Sequence, residues 1–525
     1  MHATSLRICA FLISTLTLML ACQELAATDI RRGLGPEPDS LHIHQARGLA
    51  AVNLLRDLRE GLLTFDQHGE LAPGQAASWE ELDDGRRYRF YLRSDARWSN
   101  GDPVTAADFV RAWHRAFTPE TAAATAGLLK DVRNASEILK GNGEPAALGI
   151  VAVEPGVLDV LLTEPAPWLL EILAHPVSYP LHSKGQDDPL HAPVNGSFLL
   201  ANWTPRASIR LERNPQFHGL DSVRVETVEY FPIEEPAAEL SRYRAGELEI
   251  TETIPAGRYD WLRENLAADL RVAPYLGTFW LGLNLKHQVL GYSTRLRQAL
   301  SLAINRDILT ATVLGAGELP AWSVVPPGIR GYSPSLMPQS EFSQAQREAE
   351  AVRLFELSGA GRPESLLLEL RYNTSGVHRR VAVAVAAMWK QVLGVNTQLV
   401  NEEWKVFVNN RRLGVITEVF RGGWIADYAD PSSFLDLFTG GNALNNTFYS
   451  NRDFDLLLKS TGRVSAGARM KLLQQAEAQL MQDMPVIPLY YYVSRHLVNP
   501  RITGFSDNVR DIHLSRYLGL ISESR

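Results

Sequence analysis

The chain of 525 residues contains two cysteines, Cys9 and Cys22, both within its amino-terminal apolar segment. At least one of them leaves with that segment, so the expected mature chain has no pair for an intrachain disulfide and its stability must come from a buried core. No later apolar run approaches the length of a membrane span. No excess of positive charge exists either: 52 Lys and Arg stand against 59 Asp and Glu, a net −7, which offers no basic field for nucleic acid. Internal repeats, coiled-coil heptads and low-complexity tracts are absent, and glycine and proline are spread as turn punctuation. The sequence also lacks a His-Glu-x-x-His zinc helix, a Gly-x-Ser-x-Gly elbow, a phosphate-binding P-loop and a Gly-x-Gly-x-x-Gly turn. These absences argue against an enzyme and against any cofactor.

What is present begins with a leader. Met1 to Arg7 carries one positive charge, and Ile8 to Leu20 is an apolar run too short to span a bilayer, so residues 1–27 are expected to be a secretory signal. The sequence Leu18-Met19-Leu20-Ala21-Cys22 resembles a bacterial lipobox. Lipidation at Cys22 and ordinary cleavage near Ala26 or Ala27 both remain open.

The rest reads as a continuously folded α/β chain. Tyr88, Phe90 and Leu92 alternate as on one face of a strand, and Val110, Trp113 and Phe117 recur at helical spacing. Thr105 with Asp108 forms a capping-box start, as does Ser343 with Gln346 before a helix ending ahead of Gly359. Leu366 to Tyr372 reads as a strand, Val377 to Leu393 as a helix closed by Gly394, and Val395 to Leu399 as the strand that follows. His42-Ile43-His44 as a strand would put two imidazoles on one side, a pattern that suits a transition metal. Surface or cleft-edge histidines are the plainer reading among 13 in the chain.

Several stretches occur in order: Arg56 to Leu63 (RDLREGLL), Ala96 to Phe109 (ARWSNGDPVTAADF), Leu211 to Pro215 (LERNP), Ala299 to Asp307 (ALSLAINRD) and Tyr372 to Ser375 (YNTS). With them, nearly the whole mature chain resembles the peptide and nickel branch of the bacterial extracellular solute-binding proteins, family 5. The resemblance implies a two-lobed α/β periplasmic-binding-protein fold with a hinge, an additional domain and discontinuous domains. Residues 28–50, 177–274 and 495–525 would form the first lobe, 51–175 the additional domain, and 275–494 the second lobe. It further implies a monomer in the periplasm of a Gram-negative bacterium, binding short peptides and handing them to an inner-membrane ABC permease. Alternatives are a murein tripeptide carrier of the same fold, nickel or haem binding, and a secreted peptidase.

Arg421 to Pro431 (RGGWIADYADP) resembles the family's ligand-clamp loop. Asp430 before Pro431 is a natural helix N-cap leading into Phe434, Leu435 and Phe438, which leaves Asp427 free. The resemblance assigns Asp427 to the peptide α-amino group, and Gly423, Trp424 and Ile425 to the peptide backbone and cleft wall. Arg421, with Arg411 or Arg412 and His378, would meet the peptide carboxylate, for which a guanidinium's planar fork is suited. A structural turn for Asp427, a solvated pair for Arg411 and Arg412, and a plain helix position for His378 are the alternatives. Thr312 to Gly315 carries no lysine where relatives have one, and Ala46-Arg47 stands where they have an acid. The preferred peptide length and identity are therefore left open.

Overall fold

Alternation starts the first strand: in β1 (Asp29–Gly35), Ile30, Arg32 and Leu34 are buried on one face. The computed structural model describes residues 29–121, 123, 125–184, 190–255, 257–416 and 418–521. The expected leader and Cys22 lie outside these. After β1 comes the helix Leu49–Leu58, then the short hairpin β2 (Leu63–Phe65) and β3 (Leu71–Pro73). A separate antiparallel sheet follows from β4 (Ala76–Leu82), β5 (Arg87–Leu92), β6 (Ile150–Glu154) and β7 (Val157–Leu161), in the order β4-β5-β7-β6. Tyr88 and Phe90 of β5 are buried against the helix residues Phe109 and Trp113, and the Thr105–Asp108 capping box is formed.

The chain then returns to β1. β8 (Phe198–Thr204), β9 (Ser208–Arg213) and β10 (Thr227–Pro232) complete a sheet ordered β1-β10-β9-β8, with β1 parallel to β10. Its core takes Val498 and Leu518 from the far end of the chain. Polar bonds make the same join: Asp57 accepts from the Ser515 main-chain N–H at 3.0 Å, and Glu60 accepts from Arg516 at 2.6 Å. Burial alone would raise the Glu60 carboxyl, but Arg516 and His218 pull it down to about 2.

The third sheet holds β11 (Leu270–Leu283), β12 (Leu319–Pro320), β13 (Leu367–Asn373), β14 (Asn396–Glu402), β15 (Val419–Ile425) and β16 (Val486–Leu497), in the order β12-β16-β11-β15-β13-β14. The helix Gly376–Leu393 packs Val381, Val385 and Trp389 into its core and ends at Gly394 with φ +74°, as its spacing predicts. The Ser343–Gln346 capping box opens the helix Gln344–Glu356. A small ladder of β17 (Ile502–Thr503) and β18 (Gly519–Leu520) closes the chain.

Two long strands cross between the lobes. β11 pairs antiparallel with β16 over Leu270–Pro274 and again over Thr278–Gly282, with the ladder interrupted between Pro274 and Thr278. The result is the two-lobed α/β fold the resemblance implies. The boundary expected at residues 50/51 falls inside the helix Leu49–Leu58, which sends Ala51 and Leu55 into one core and Ala50, Leu54 and Leu58 into another.

One local expectation is corrected. His42–His44 is a turn, not a strand: the His42 carbonyl accepts from Gln45 and Ala46, and Asp39 accepts from the Arg47 N–H. The His44 N–H donates to His42 Nδ1 at 3.2 Å, and burial holds His44 neutral, with a pKa lowered to about 3. The ring centroids are 5.3 Å apart and tilted by 60°, not side by side on a sheet face.

Candidate ligand-binding cleft

β15 is laid along β11 with Arg421 opposite Leu281, Gly423 opposite Phe279 and Ile425 opposite Gly277. Strand alternation puts Arg421, Gly423 and Ile425 on one face and Gly422 and Trp424 on the other. Gly422 is required on its face, because a Cβ there would meet the Trp280 indole at 2.3 Å. On the other face a Cβ on Gly423 would sit 2.9 Å from the Tyr492 hydroxyl. The neighbouring aromatic side chains take the space over both glycines, and from Arg421 onward β15 is paired on one edge only, since β13 meets it only at Val419 and Phe420.

Where β15 ends, a cavity of about 770 Å³ opens between the lobes. Its floor includes Tyr275 and Leu276 at the interrupted β11 ladder, and one wall carries Trp424, Ile425 and Asp427. The Ser433 hydroxyl accepts from the Asp427 main-chain N–H at 3.1 Å and from the Trp424 indole at 3.4 Å, which fixes the loop. Asp430 has a different task. Its carboxylate accepts from the Ser432 N–H at 2.9 Å and from Arg469 at 2.6 and 2.8 Å, so it closes a turn just before the helix Ser432–Leu435 instead of standing at its N-cap.

Asp427 is thereby left without a hydrogen-bond partner for its carboxylate among the described residues. It keeps exposed surface because it faces the open cavity, while the surrounding walls hold bulk water away. Burial of this kind raises its carboxyl pKa to about 6 against a small pull from Lys130. Asp436, 3.7 Å from Lys130, is raised to about 6 for the same reason. This end of the cavity therefore favours a cationic group.

The opposite end of β15 is cationic. Arg421 lies over the Phe279 and Trp404 rings, 5.3 and 5.9 Å from their centroids, and beside the Tyr492 hydroxyl. Arg411 lies over Phe407, and burial and the neighbouring Arg421 lower its pKa to about 10. Among the described residues no carboxylate pairs with either. His378 shares the cluster through Phe279, with its Nδ1 2.9 Å from Asn373 Oδ1. Burial first, then Arg421, lower its pKa to about 4, so it brings a neutral ring and no charge near pH 7. Arg412 is not brought in: it is exposed and donates to Asn409. Trp424, Ile425 and Asp427 line the cavity itself; Gly423, Arg421, Arg411 and His378 do not, and the last three form a separate cluster.

The comparisons with known proteins agree with the fold. Residues 70–446 match the pattern of the bacterial extracellular solute-binding proteins, family 5. The chain belongs to that family. Among its family 5 relatives, the periplasmic oligopeptide-binding protein of Salmonella typhimurium is 35% identical over 514 residues, covering 94% of each chain. The unliganded open form of the periplasmic murein tripeptide-binding protein superposes with a TM-score of 0.85 at 33% identity, over 95% of this chain and 98% of that one. The Haemophilus influenzae oligopeptide-binding protein in complex with the peptide RPPGFSPFR gives 0.77 at 33% identity, over 95% and 99%.

Sequence spacing did not reveal a further cluster that lines the cavity. His496, Asp511 and His513 bring their ligating atoms within 4.8 Å of one another. His496 Nδ1 donates to the Thr251 carbonyl and Nε2 to Asp511 at 2.7 Å. Burial opposes the charge on His496, but Asp511 raises its pKa to about 9 and is itself held far below the carboxylate range. The arrangement is an imidazolium–carboxylate pair with both ring nitrogens donating, which leaves His496 no lone pair for a metal.

Proposed function

We propose that this chain is the extracytoplasmic binding component of an ABC importer, closing its lobes around a short peptide and delivering it to an inner-membrane permease. The observation that carries this is the pairing of opposites along β15: an unpaired carboxylate, Asp427, beyond one end and unpaired guanidiniums, Arg421 and Arg411, at the other, with a strand edge left unpaired between. At ~3.3 Å per residue, Arg421 to Ile425 spans about 13 Å, the length of a peptide of about four residues. Added as an extended strand, the peptide is held by main-chain bonds that do not read its side chains, with its two terminal charges met by Asp427 and Arg421.

The protein would act as a periplasmic monomer, with residues 28–50, 177–274 and 495–525 as the first lobe, 51–175 as the additional domain and 275–494 as the second lobe. A Gram-negative source and a lipid on Cys22 belong to the same reading. The fit to the open murein tripeptide-binding protein supports a second reading, a dedicated murein peptide ligand.

Native mass spectrometry of the mature protein purified gently from its own periplasm tests both. A ladder of added masses matching short peptides is expected. One dominant mass equal to a murein tripeptide would favour the second reading, and a bare or metal-only mass would overturn both.

A further inference from the structure

The helix Leu49–Leu58 turns Leu49, Val52, Asn53 and Arg56 toward the cavity at the i, i+3, i+4, i+7 spacing of one helical face. Arg56 differs from several inward-facing arginines of this protein in having no counter-charge. Arg516 is paired with Glu60 and Arg469 with Asp430, while Arg306 is saturated by the carbonyls of Ser301, Ala321 and Pro488. The Arg56 guanidinium has one acceptor, Asn53 Oδ1 at 3.1 Å, and its buried Nε has none. Its surroundings are aromatic: the Phe65 ring lies 6.0 Å away, and the groups acting on it electrostatically are the Tyr179 and Tyr275 phenols.

Arg47, at the turn before the same helix, lines the same cavity, and no carboxylate meets its side chain among the described residues. Several of the cavity's acids are engaged elsewhere. Glu171 is bound by Arg510 at 2.7 Å and Asp511 by His496. Burial raises Glu252 to about 8, which makes it neutral at pH 7. A desolvated guanidinium with no carboxylate bonded to it is unfavourable until an anion arrives.

Resting on the peptide-binding reading above, we propose that Arg56 and Arg47 form an anion subsite that takes a side-chain carboxylate of the bound peptide. The chain then selects peptides carrying glutamate or aspartate from the mixture that its main-chain recognition would otherwise admit. The guanidinium fork of Arg56 supplies the hydrogen bonds, and Arg47 at the rim adds charge and steers the acid inward.

The test is calorimetric titration of ligand-stripped protein with tripeptides that place glutamate or its isostere glutamine at each position in turn, each with a free and an amidated C-terminus. At one position the glutamate peptide should bind about ten- to a hundredfold tighter, the range of a charge-assisted hydrogen bond, and the preference should survive amidation. Arg47→Glu, an exposed substitution, reverses the charge that position 47 presents to the cavity and should weaken or reverse the preference. Arg56→Gln, checked for folding by thermal unfolding, should remove it. Equal binding of glutamate and glutamine peptides at every position, or a preference lost on amidation, overturns the subsite and leaves peptide binding standing. Failure of every peptide to bind overturns the peptide reading and the subsite with it.

Discussion

Arg469 holds both carboxylate oxygens of Asp430, at 2.6 and 2.8 Å, with the two side chains almost wholly buried. The Arg469 guanidinium also lies over the Trp168 ring, 5.0 Å from its centroid, so one side chain braces the loop that carries Asp427 and touches the domain across from it. Removing one partner of a buried ion pair leaves the other charge uncompensated. Arg469→Met is expected to destabilise the protein by about 3–5 kcal/mol in urea unfolding.

Nothing in the described structure engages the Asp427 carboxylate, so its truncation should act on the ligand and not on the fold. Asp427→Ala should weaken free-amine peptides by about 2–5 kcal/mol in calorimetry and leave the unfolding midpoint nearly unchanged. N-acetylated peptides should bind the wild type and the variant equally. Unchanged affinity for free-amine peptides would remove Asp427 from the site.

The raised carboxyls give a pH signature with two opposite signs. Asp427 and Asp436, pushed up to about 6 by burial, take up protons in the folded state at a pH where the unfolded chain, with ordinary carboxyls, has none bound. Their contribution to the stability of the ligand-free protein therefore rises as pH falls from about 7 to about 4. Affinity for a peptide ammonium needs the Asp427 carboxylate and should fall over the same interval below pH 6. Titrations and thermal melts at matched pH values check both trends.

At the other end, Arg421 supplies charge while His378, lowered to about 4, stays neutral. Amidating the peptide C-terminus should cost about 1.5–3 kcal/mol in the wild type, and this difference should shrink in Arg421→Gln. His378→Gln should leave the amide-versus-acid difference intact between pH 6 and 8. A His378 variant that abolished it would assign the carboxylate to the imidazole instead.

What the sequence made legible was local or borrowed from resemblance. The capping boxes at Thr105 and Ser343 and the αL stop at Gly394 are encoded within a few residues, and each formed as spacing predicts. Asp430 looked like an N-cap because its local context says so. Its partner Arg469 is 39 residues away and draws the carboxylate into a turn and an ion pair. His42–His44 had only its alternation to recommend a strand, against Asp39 accepting from Arg47 and closing a turn. The neutral state of His378 depends on its burial and on Arg421, which lies on a strand distant in sequence. Arg56 could be quoted as part of a motif, yet its lack of a counter-charge becomes visible only when the cavity around it is assembled.

The bonds from Asp57 to Ser515 and from Glu60 to Arg516 have a consequence for biogenesis. They join points 458 and 456 residues apart, so the first lobe cannot be completed until nearly the whole chain has emerged. Contacts of such long range form slowly, because the intervening loop must be closed before they contribute. A chain released before Ser515 would leave two buried acids, Asp57 and Glu60, without their carboxyl-terminal partners, in a lobe whose sheet already contains β1. The carboxyl-terminal segment thus acts as a completeness check, and a truncated product would be left open to proteolysis.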